Sequence, residues 1–467
     1  MSDSTKGGAI LLVHWGSEVR TYIYSGFVEK LARHMPVTVV SRVTDGEFAQ
    51  HLPEGVQVLQ LPEVRIPPLF ARLHALGNSA HGKWRESRGQ FVSSEYYAFK
   101  PKPATFAGRA RRHLSHLFCH PVCIRTIDSV LRQLGTRLAK NARPIIDLLE
   151  ELQPKVVLSP DYMNVTTIAF VLVAQHLGVK TVALPQNWNN IYKCARVFLD
   201  CDRQLVWNER MRDFVIEVNP HLEAERVIPV GSPQFDFHAN NMLIVPREEF
   251  AHTVGFNAAR PIICYSAAAP KTVLHEAQIL RQFLEAISHN PLFEQPQVVV
   301  RLNPIGSDPE FLELAREFPE CYLCEPGWEV RRDVSWICSS LEDVKVWMNL
   351  IFHSALNISV PSTVTLDFAG MDRPVVNVAY DPPGIDRPLV SVSDLWKQDI
   401  YRPIVQGKVV EIASSPKELT DLVECFLRDP SRGRENRNSF IADEFASCFG
   451  KSGDRILSEI HDVLQER

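Results

Sequence analysis

The stretch VPSTVTLDFAGMDRPVVNV, Val360 to Val378, gathers three hydroxyls, two carboxylates and an arginine around one short predicted helix. Ser362 and Thr363 fall where that helix starts, so their hydroxyls and the free N–H groups of its first turn can cap the helix or hold a diphosphate. One turn on, Asp367 presents an acceptor-only carboxylate suited to a ribose diol. Gly370 closes the helix, and Asp372-Arg373-Pro374 leads into the next apolar run. Further upstream, Ser266-Ala-Ala-Ala-Pro270-Lys271-Thr272 follows an apolar run, where small residues and a helix start can receive a phosphate with Lys271 as counter-charge. In Arg301-Leu302-Asn303-Pro304, Arg301 can give paired donors to a phosphate. Taken singly, a capped helix or a surface ion pair accounts equally well for each.

These residues need elements to hold them. In the first half, AILLVHW (Ala9 to Trp15) reads as a buried strand and Tyr22 to Arg33 as an amphipathic helix with Phe27, Leu31 and Ala32 inward. VTVVSR (Val37 to Arg42) and VQVLQL (Val56 to Leu61) are further strands. Beyond them lie a long helix through Leu134 to Leu152, the strand KVVLS, a helix over Val165 to His176 and the strand KTVALP. GSPQFDFHANNMLIVP, Gly231 to Pro246, reads as a boundary, after which the rhythm restarts. IICYS (Ile262 to Ser266), a helix Val273 to Ser288, VVVRL (Val298 to Leu302), a helix from Asp308, a helix Leu341 to Phe352, ALNIS, a helix Ser362 to Gly370 and PVVNV follow in turn. KVVEI (Lys408 to Ile412) adds a strand, and Pro416 to Leu427 and Arg434 to Phe445 add helices. Short apolar strands alternating with helices predict parallel βαβ units covered on both faces. The expected fold class is α/β, with two doubly wound Rossmann-like domains at residues 1–235 and 236–467 and an insertion at about 65–125. Ligands of such domains are expected at the carboxyl ends of the strands, in a cleft where the two domains face each other.

Composition narrows the class. The 467 residues, 45% hydrophobic and 22% charged, suit a soluble globular chain of two or three domains. MSDSTKGG runs straight into Ala9 to Val13, too short and poorly flanked for a secretory signal, and no apolar run reaches the roughly 18 residues of a membrane span. Ten cysteines in this setting predict reduced thiols in a cytoplasmic protein. The closest pair, Cys321 and Cys324, has only Cys338 nearby, so inert thiols are expected. A net charge of -5 argues against general nucleic-acid affinity. From Arg65 to Arg125, however, eleven Lys and Arg stand against Glu86 and Glu95, giving +9 and leaving -14 for the rest. Phe70, Trp84, Phe91, Tyr96, Tyr97, Phe99, Phe106 and Phe118 are interleaved there. The mixture suits an anionic membrane surface, a phosphate-bearing acceptor or an anionic glycan, and equally a solvated insertion with a packed aromatic cluster.

Neither half has G-x-G-x-x-G after its first strand and no Walker lysine motif occurs, which argues against dinucleotide oxidoreductases and P-loop enzymes. Ser-Thr-x-x-Leu-Asp-x-Ala-Gly-x-x-x-Pro-Val-Val from Ser362, preceded by SLEDVKVWMNLIFHSALNIS, instead resembles the nucleotide-sugar domain of two-domain GT-B glycosyltransferases. Within that fold it is similar to bacterial surface or capsular polysaccharide transferases and to CDP-glycerol glycerophosphotransferase-like proteins. Val230-Gly-Ser-Pro-Gln-Phe-Asp236 resembles the Gly-x-Pro-x-x-Asp linker of those transferases and of UDP-sugar 2-epimerases, and Arg301-Leu302-Asn303-Pro304 resembles their Arg-x-His-Pro. The resemblance covers about residues 200 to 430. It departs at Asn303, where the family has His, and at Asp367, where Glu is usual.

The resemblance implies a second domain holding the nucleotide diphosphate through Ser266, Arg301, Ser362 and Thr363, with Asp367 near the ribose, and a first domain holding the acceptor and a general base. His14, ending the first strand beside Gly16-Ser17-Glu18, is one candidate base; Asp161, in SPDYMN, is the second and Glu18 the third. A packed histidine and a helix-capping aspartate are the alternatives. Gln186-Asn187-Trp188-Asn189-Asn190 offers amides and an indole to a sugar. Asp200-Cys201-Asp202 is a D-x-D of the kind that ligates Mg²⁺ in the other large glycosyltransferase fold, but three residues match easily by chance, and neither a metal nor a cofactor is expected. The expected activity is transfer of a sugar from a nucleotide-sugar donor to a surface polysaccharide or lipid-linked glycan, at the inner face of the cell membrane. A CDP-linked polyol-phosphate transferase, a UDP-sugar 2-epimerase and a non-catalytic scaffold in polysaccharide assembly are the alternatives.

Overall fold

The computed structural model describes residues 6–90, 106–161, 163–185, 187–193, 196–270, 272–288, 296–384 and 391–466. Lys271, Gln186, and Phe91, Tyr96, Tyr97 and Phe99 of the basic segment lie outside them. The chain divides into two units, one of residues 1–236, 330–338 and 444–467, the other of 237–329 and 339–443.

In the first unit seven strands form one sheet in the order β3-β2-β1-β4-β5-β6-β7. They are β1 (Ala9–Val13), β2 (Val37–Ser41), β3 (Gln57–Gln60), β4 (Val156–Ser159), β5 (Lys180–Ala183), β6 (Arg203–Val206) and β7 (Val227–Pro229). All neighbours run parallel, with Leu11 opposite both Val39 and Leu158. β1, β2 and β4 are buried along their whole length, as continuous apolar runs in a sheet covered on both faces must be.

The second unit repeats the plan with β8 (Ile262–Ser266), β9 (Gln297–Arg301), β10 (Cys321–Cys324), β13 (Ser354–Ser359), β14 (Val375–Val378) and β15 (Glu411–Ala413), in the order β10-β9-β8-β13-β14-β15. Between β10 and β13 the chain forms a hairpin of β11 (Trp328–Arg331) and β12 (Trp336–Ser339), which the sequence pattern does not predict. Both sheets therefore have the doubly wound order, reversing between β1 and β4 and between β8 and β13.

Several elements differ from expectation for local reasons. The helix expected over Tyr22 to Arg33 is a wide turn, Val19–Tyr24, and a helix Phe27–Ala32, divided by Gly26 at φ +79°. The helix expected through Leu134 to Leu152 is Pro121–Asn141 followed by Arg143–Leu152, because Pro144 lacks the N–H that continuity requires. KVVEI shifts to Glu411–Ala413, Lys408 being in a left-handed turn at φ +48°. The second domain, expected to run to residue 467, ends at 443, and 444–467 belong to the first unit. The reason is side-chain chemistry. Buried Glu444 accepts from the Trp188 indole and from Asn208 Nδ2 (2.7 Å), Phe445 packs between Trp207 and Phe235, and Asp236 caps the helix Ser452–Gln465 through the N–H groups of Ser452 and Gly453 (3.1 and 3.0 Å).

The described part of the basic segment is helical, Pro68–Ser87 and Phe106–Leu117. Phe70 is buried against Phe198 and His74, and buried Arg85 donates to the Tyr192 carbonyl, so these two serve packing. Leu114, Leu117, Phe118 and Val122 are exposed, as are Arg111 and Arg125. Among the described residues no helix is long and apolar enough to cross a membrane.

Candidate functional site

In the first unit, β1 and β4 flank the point where the strand order reverses, and His14 and Asp161 lie just past their carboxyl ends. Glu18 returns to the same point because the chain turns at Trp15 into the short helix Gly16–Glu18. Glu18 Oε2 accepts from the backbone N–H groups of His14 and Trp15 (2.5 and 3.0 Å), and the Trp15 indole donates to Asp161 Oδ2 (2.9 Å). The three candidate bases thus meet in one buried cluster. Gly16 is dictated by crowding: a Cβ there would lie 2.1 Å from the Ile337 carbonyl oxygen.

Within the cluster the roles differ. Asp161 Oδ1 accepts from the N–H groups of Met163 and Asn164 (2.7 and 3.1 Å), so both its oxygens are engaged in shaping the turn before the helix Val165–His176. Arg42 lies 3.4 Å from His14 Nε2; a guanidinium only donates, which leaves the ring proton of a neutral imidazole on Nδ1. His14 Nδ1 and Glu18 Oε1 are both buried without a hydrogen-bond partner among the described residues. Burial lowers His14 below its ordinary 6.5, opposed by Asp161 and reinforced by Arg42. Burial, and then the charge of Asp161, push Glu18 well above its ordinary 4.5, against the two N–H bonds it accepts. Burial thus shifts both groups toward their neutral forms, and the bond that joins the two residues runs from the His14 backbone N–H to the Glu18 carboxyl group.

The second unit places Ser266 and the loop Val360 to Thr363 at the carboxyl ends of β8 and β13. Ser266 Oγ donates to Asn357 Oδ1 (2.7 Å), Asn357 Nδ2 donates to Ser359 Oγ (3.2 Å), and Asn377 Nδ2 donates to Ser359 Oγ (2.9 Å) and to the Ser359 carbonyl (3.0 Å). Tyr401 adds a hydroxyl bond to the Pro361 carbonyl (3.0 Å). Buried amides therefore fix the loop that carries Ser362 and Thr363. Both of these are half-buried; Ser362 Oγ accepts from the Val364 N–H (3.3 Å), whereas the Thr363 hydroxyl makes no capping bond. Asp367 lies behind them with Oδ1 3.1 Å from His238 Nε2.

Arg301 is placed differently from the phosphate clamp expected of it. Its guanidinium donates to both oxygens of buried Asp343 (2.6 and 2.7 Å) and to the Glu325 carbonyl (3.1 Å). Asp343 also accepts from the Gly327 N–H and the Trp328 indole (2.7 and 2.6 Å), so the pair organises the turn into β11. Asn303 accepts from the Ile305 N–H (3.1 Å) and turns its amide to the Ala267 carbonyl (3.5 Å). Glu276, buried under the loop after β8, accepts from the Ala268 N–H (2.9 Å) and is pushed up to about 8 by burial.

Other candidates are engaged elsewhere. Trp188 is buried, its indole donating to Glu444. In the D-x-D, Asp202 Oδ2 accepts from the Thr181 N–H and hydroxyl (2.8 and 3.1 Å). Among the described residues no group of three or more His, Cys, Asp or Glu is placed to hold a metal ion. Cys264 and Cys321 are buried thiols pushed up to about 12. Sequence reasoning missed Asn357, Asn377, Asp343 and Glu276. The signal for the first two is an amide inside an otherwise apolar strand, in ALNIS and PVVNV.

No family model matches the chain, and no curated protein matches it in sequence. Solved structures do match in fold over nearly the whole length. The UDP-GlcNAc 2-epimerase from Methanocaldococcus jannaschii is 12% identical with a TM-score of 0.56, covering 97% of this chain and 99% of its own. The UDP-GlcNAc 2-epimerase from Neisseria meningitidis bound to UDP-GlcNAc is 12% identical with a TM-score of 0.53, covering 97% and 100%. A glycosyltransferase from Rickettsia africae is 9% identical with a TM-score of 0.53, covering 99% and 100%. The chain thus has the GT-B type of fold, two Rossmann-like parallel sheets.

Proposed function

We propose that this chain is a glycosyltransferase that takes a sugar from a nucleotide-sugar donor. The observation behind this is chemical equipment at both strand-order reversals: buried His14, Glu18 and Asp161 gathered past the ends of β1 and β4 in the first sheet, and in the second a loop of hydroxyls and N–H groups braced by Asn357 and Asn377. His14 takes the proton of the acceptor hydroxyl on Nε2, the hydroxyl replacing Arg42 as that nitrogen's partner, while Ser362, Thr363, Asn303 and Lys271 attend the departing diphosphate and Asp367 the ribose side. Asp161 holds Trp15 and so braces the turn that carries His14 and Glu18. Exposed Leu117, Phe118 and Val122 beside Arg111 and Arg125 suit an acceptor carried on an anionic lipid surface, which sedimentation with phosphatidylglycerol vesicles tests.

A second reading, UDP-sugar 2-epimerase, is favoured by the same buried titratable group together with the activity named for two of the fold relatives. A panel of UDP, GDP, CDP, ADP and dTDP, read by thermal stability with and without Mg²⁺, identifies the base; a ligand at ~100 times its Kd stabilises by about 2.7 kcal/mol. The matching nucleotide sugar is then incubated alone and with glycan acceptors. Turnover that requires an acceptor supports transfer, a C2-epimer formed without acceptor supports epimerisation, and no shift with any nucleotide overturns both.

A further inference from the structure

Arg373 belongs to none of this chemistry. It follows Asp372, a non-glycine residue at φ +51°, and enters β14 from the amino end. With Arg247, Ala258, Ala259, Arg260, Phe352 and His353 it lines a pocket of about 380 Å³. Residue 260 precedes β8, residue 353 precedes β13 and residue 373 precedes β14, so the pocket lies at the amino edge of the second sheet. Ser266 and Ser362 are at the carboxyl edge, about 15 Å away along a five-residue strand.

The charges around this pocket are unbalanced. No carboxylate lines it. Glu320 accepts from Arg260 (2.6 Å), and Asp372 accepts from Arg434 (2.6 Å) and Arg437 (2.7 and 3.0 Å), which leaves Arg373 without a carboxylate of its own. Glu248, the remaining acid close to Arg247, is exposed. Arg247 donates to the carbonyls of Ala258, His353 and Arg260 (2.8, 2.6 and 2.6 Å), which fixes its charge at the pocket wall. His353 donates Nε2–H to the Val245 carbonyl (2.9 Å). Among the described residues the Arg373 guanidinium makes no hydrogen bond; it lies 5.4 Å from the Phe352 ring centroid, and its Nε is sealed from solvent. Burial lowers the proton affinities of Arg247 and Arg373 below the usual guanidinium range; Glu248 opposes the fall at Arg247, and at Arg373 Asp372 opposes it while Arg434, Arg247 and Arg437 add to it.

We propose that this pocket is an oxyanion site, taking a phosphate or diphosphate group on the fork of Arg373 in the field of Arg247 and Arg260, separate from the nucleotide-sugar site. A planar guanidinium held by an aromatic face and lacking a partner is matched by the paired oxygens of such a group. Such a site would exist whether the chain transfers a sugar or epimerises one.

Isothermal titration of the full chain with inorganic pyrophosphate tests it, in buffer alone and with UDP present. The wild type should bind in both conditions. Arg373→Gln should weaken binding at least about tenfold, and Arg373→Lys, which keeps the charge but not the fork, should weaken it less. Ala259→Glu, at an exposed position of the lining, should abolish binding without touching the packing. Absence of binding in the wild type, equal affinity in wild type and Arg373→Gln, or full displacement by UDP would each overturn the site. Should Arg373→Gln fail to fold, unchanged affinity in Ala259→Glu is itself decisive against it.

Discussion

His14 can act as a base only while it is neutral, and its surroundings keep it so. Because burial lowers it below 6.5, the acid limb of kcat/KM should lie below that value, activity falling as pH falls through it. His14→Asn should lower kcat by roughly 10²–10⁴-fold while the nucleotide-induced rise in melting temperature is retained. Glu276 gives a stability signal instead. Its folded value near 8 exceeds the ordinary 4.5, so the folded state holds a proton that the unfolded chain releases between those values, and stability is lost as pH rises through that window. Glu276→Gln keeps an acceptor for the Ala268 N–H and removes that loss. The variant should gain on the wild type in urea melts from pH 5 to pH 8, by roughly 1.4 kcal/mol for each pH step of one across that window. His14, Glu18 and Asp161 are legible as strand-end residues because a parallel sheet puts its ligands there. Asn357 and Asn377 are not, since a lone amide in an apolar strand signals a buried network only once its partners are known. The true partner of Arg301 is Asp343, on a helix that the sequence can place but cannot orient.

Elements set what those residues are free to do. The Arg301–Asp343 pair ties the end of β9 to the helix Leu341–His353 and to the turn into β11. Arg301→Met leaves a buried carboxylate with fewer donors and should cost about 3–5 kcal/mol in urea unfolding, so any loss of nucleotide binding in it reports the scaffold. Gly16 holds the turn after β1 against the carbonyl of Ile337, and Gly16→Ala should destabilise by about 1–3 kcal/mol and lower turnover with it. Strands buried on both faces are readable because each is a continuous apolar run. The hairpin β11–β12 is not, because Trp328-Glu329-Val330-Arg331 is too short and mixed to announce a strand. The breaks at Gly26 and Pro144 do not disturb the apolar period, so only the backbone chemistry of those two residues reveals them.

At the scale of the whole chain, the two sheets have the same strand order up to the seventh strand, and that repetition is the most legible feature of all. The placement of 444–467 is not, although its anchor is in view: Gly231-Ser-Pro-Gln-Phe-Asp236, which resembles a linker, is where Asp236 and Phe235 receive the helix Ser452–Gln465 and Phe445. Ending the chain after Asp443 should strip that cover from Trp188, Trp207 and Phe235 and leave the first unit open to proteolysis while β8 to β15 stay protected. The same arrangement has a consequence for synthesis on the ribosome. At roughly 5–20 residues per second, everything from β8 to β15 must pass before Glu444 appears, a delay on the order of ten to forty seconds. The unit begun first is covered last, and in that interval its exposed aromatic residues are what a chaperone would meet.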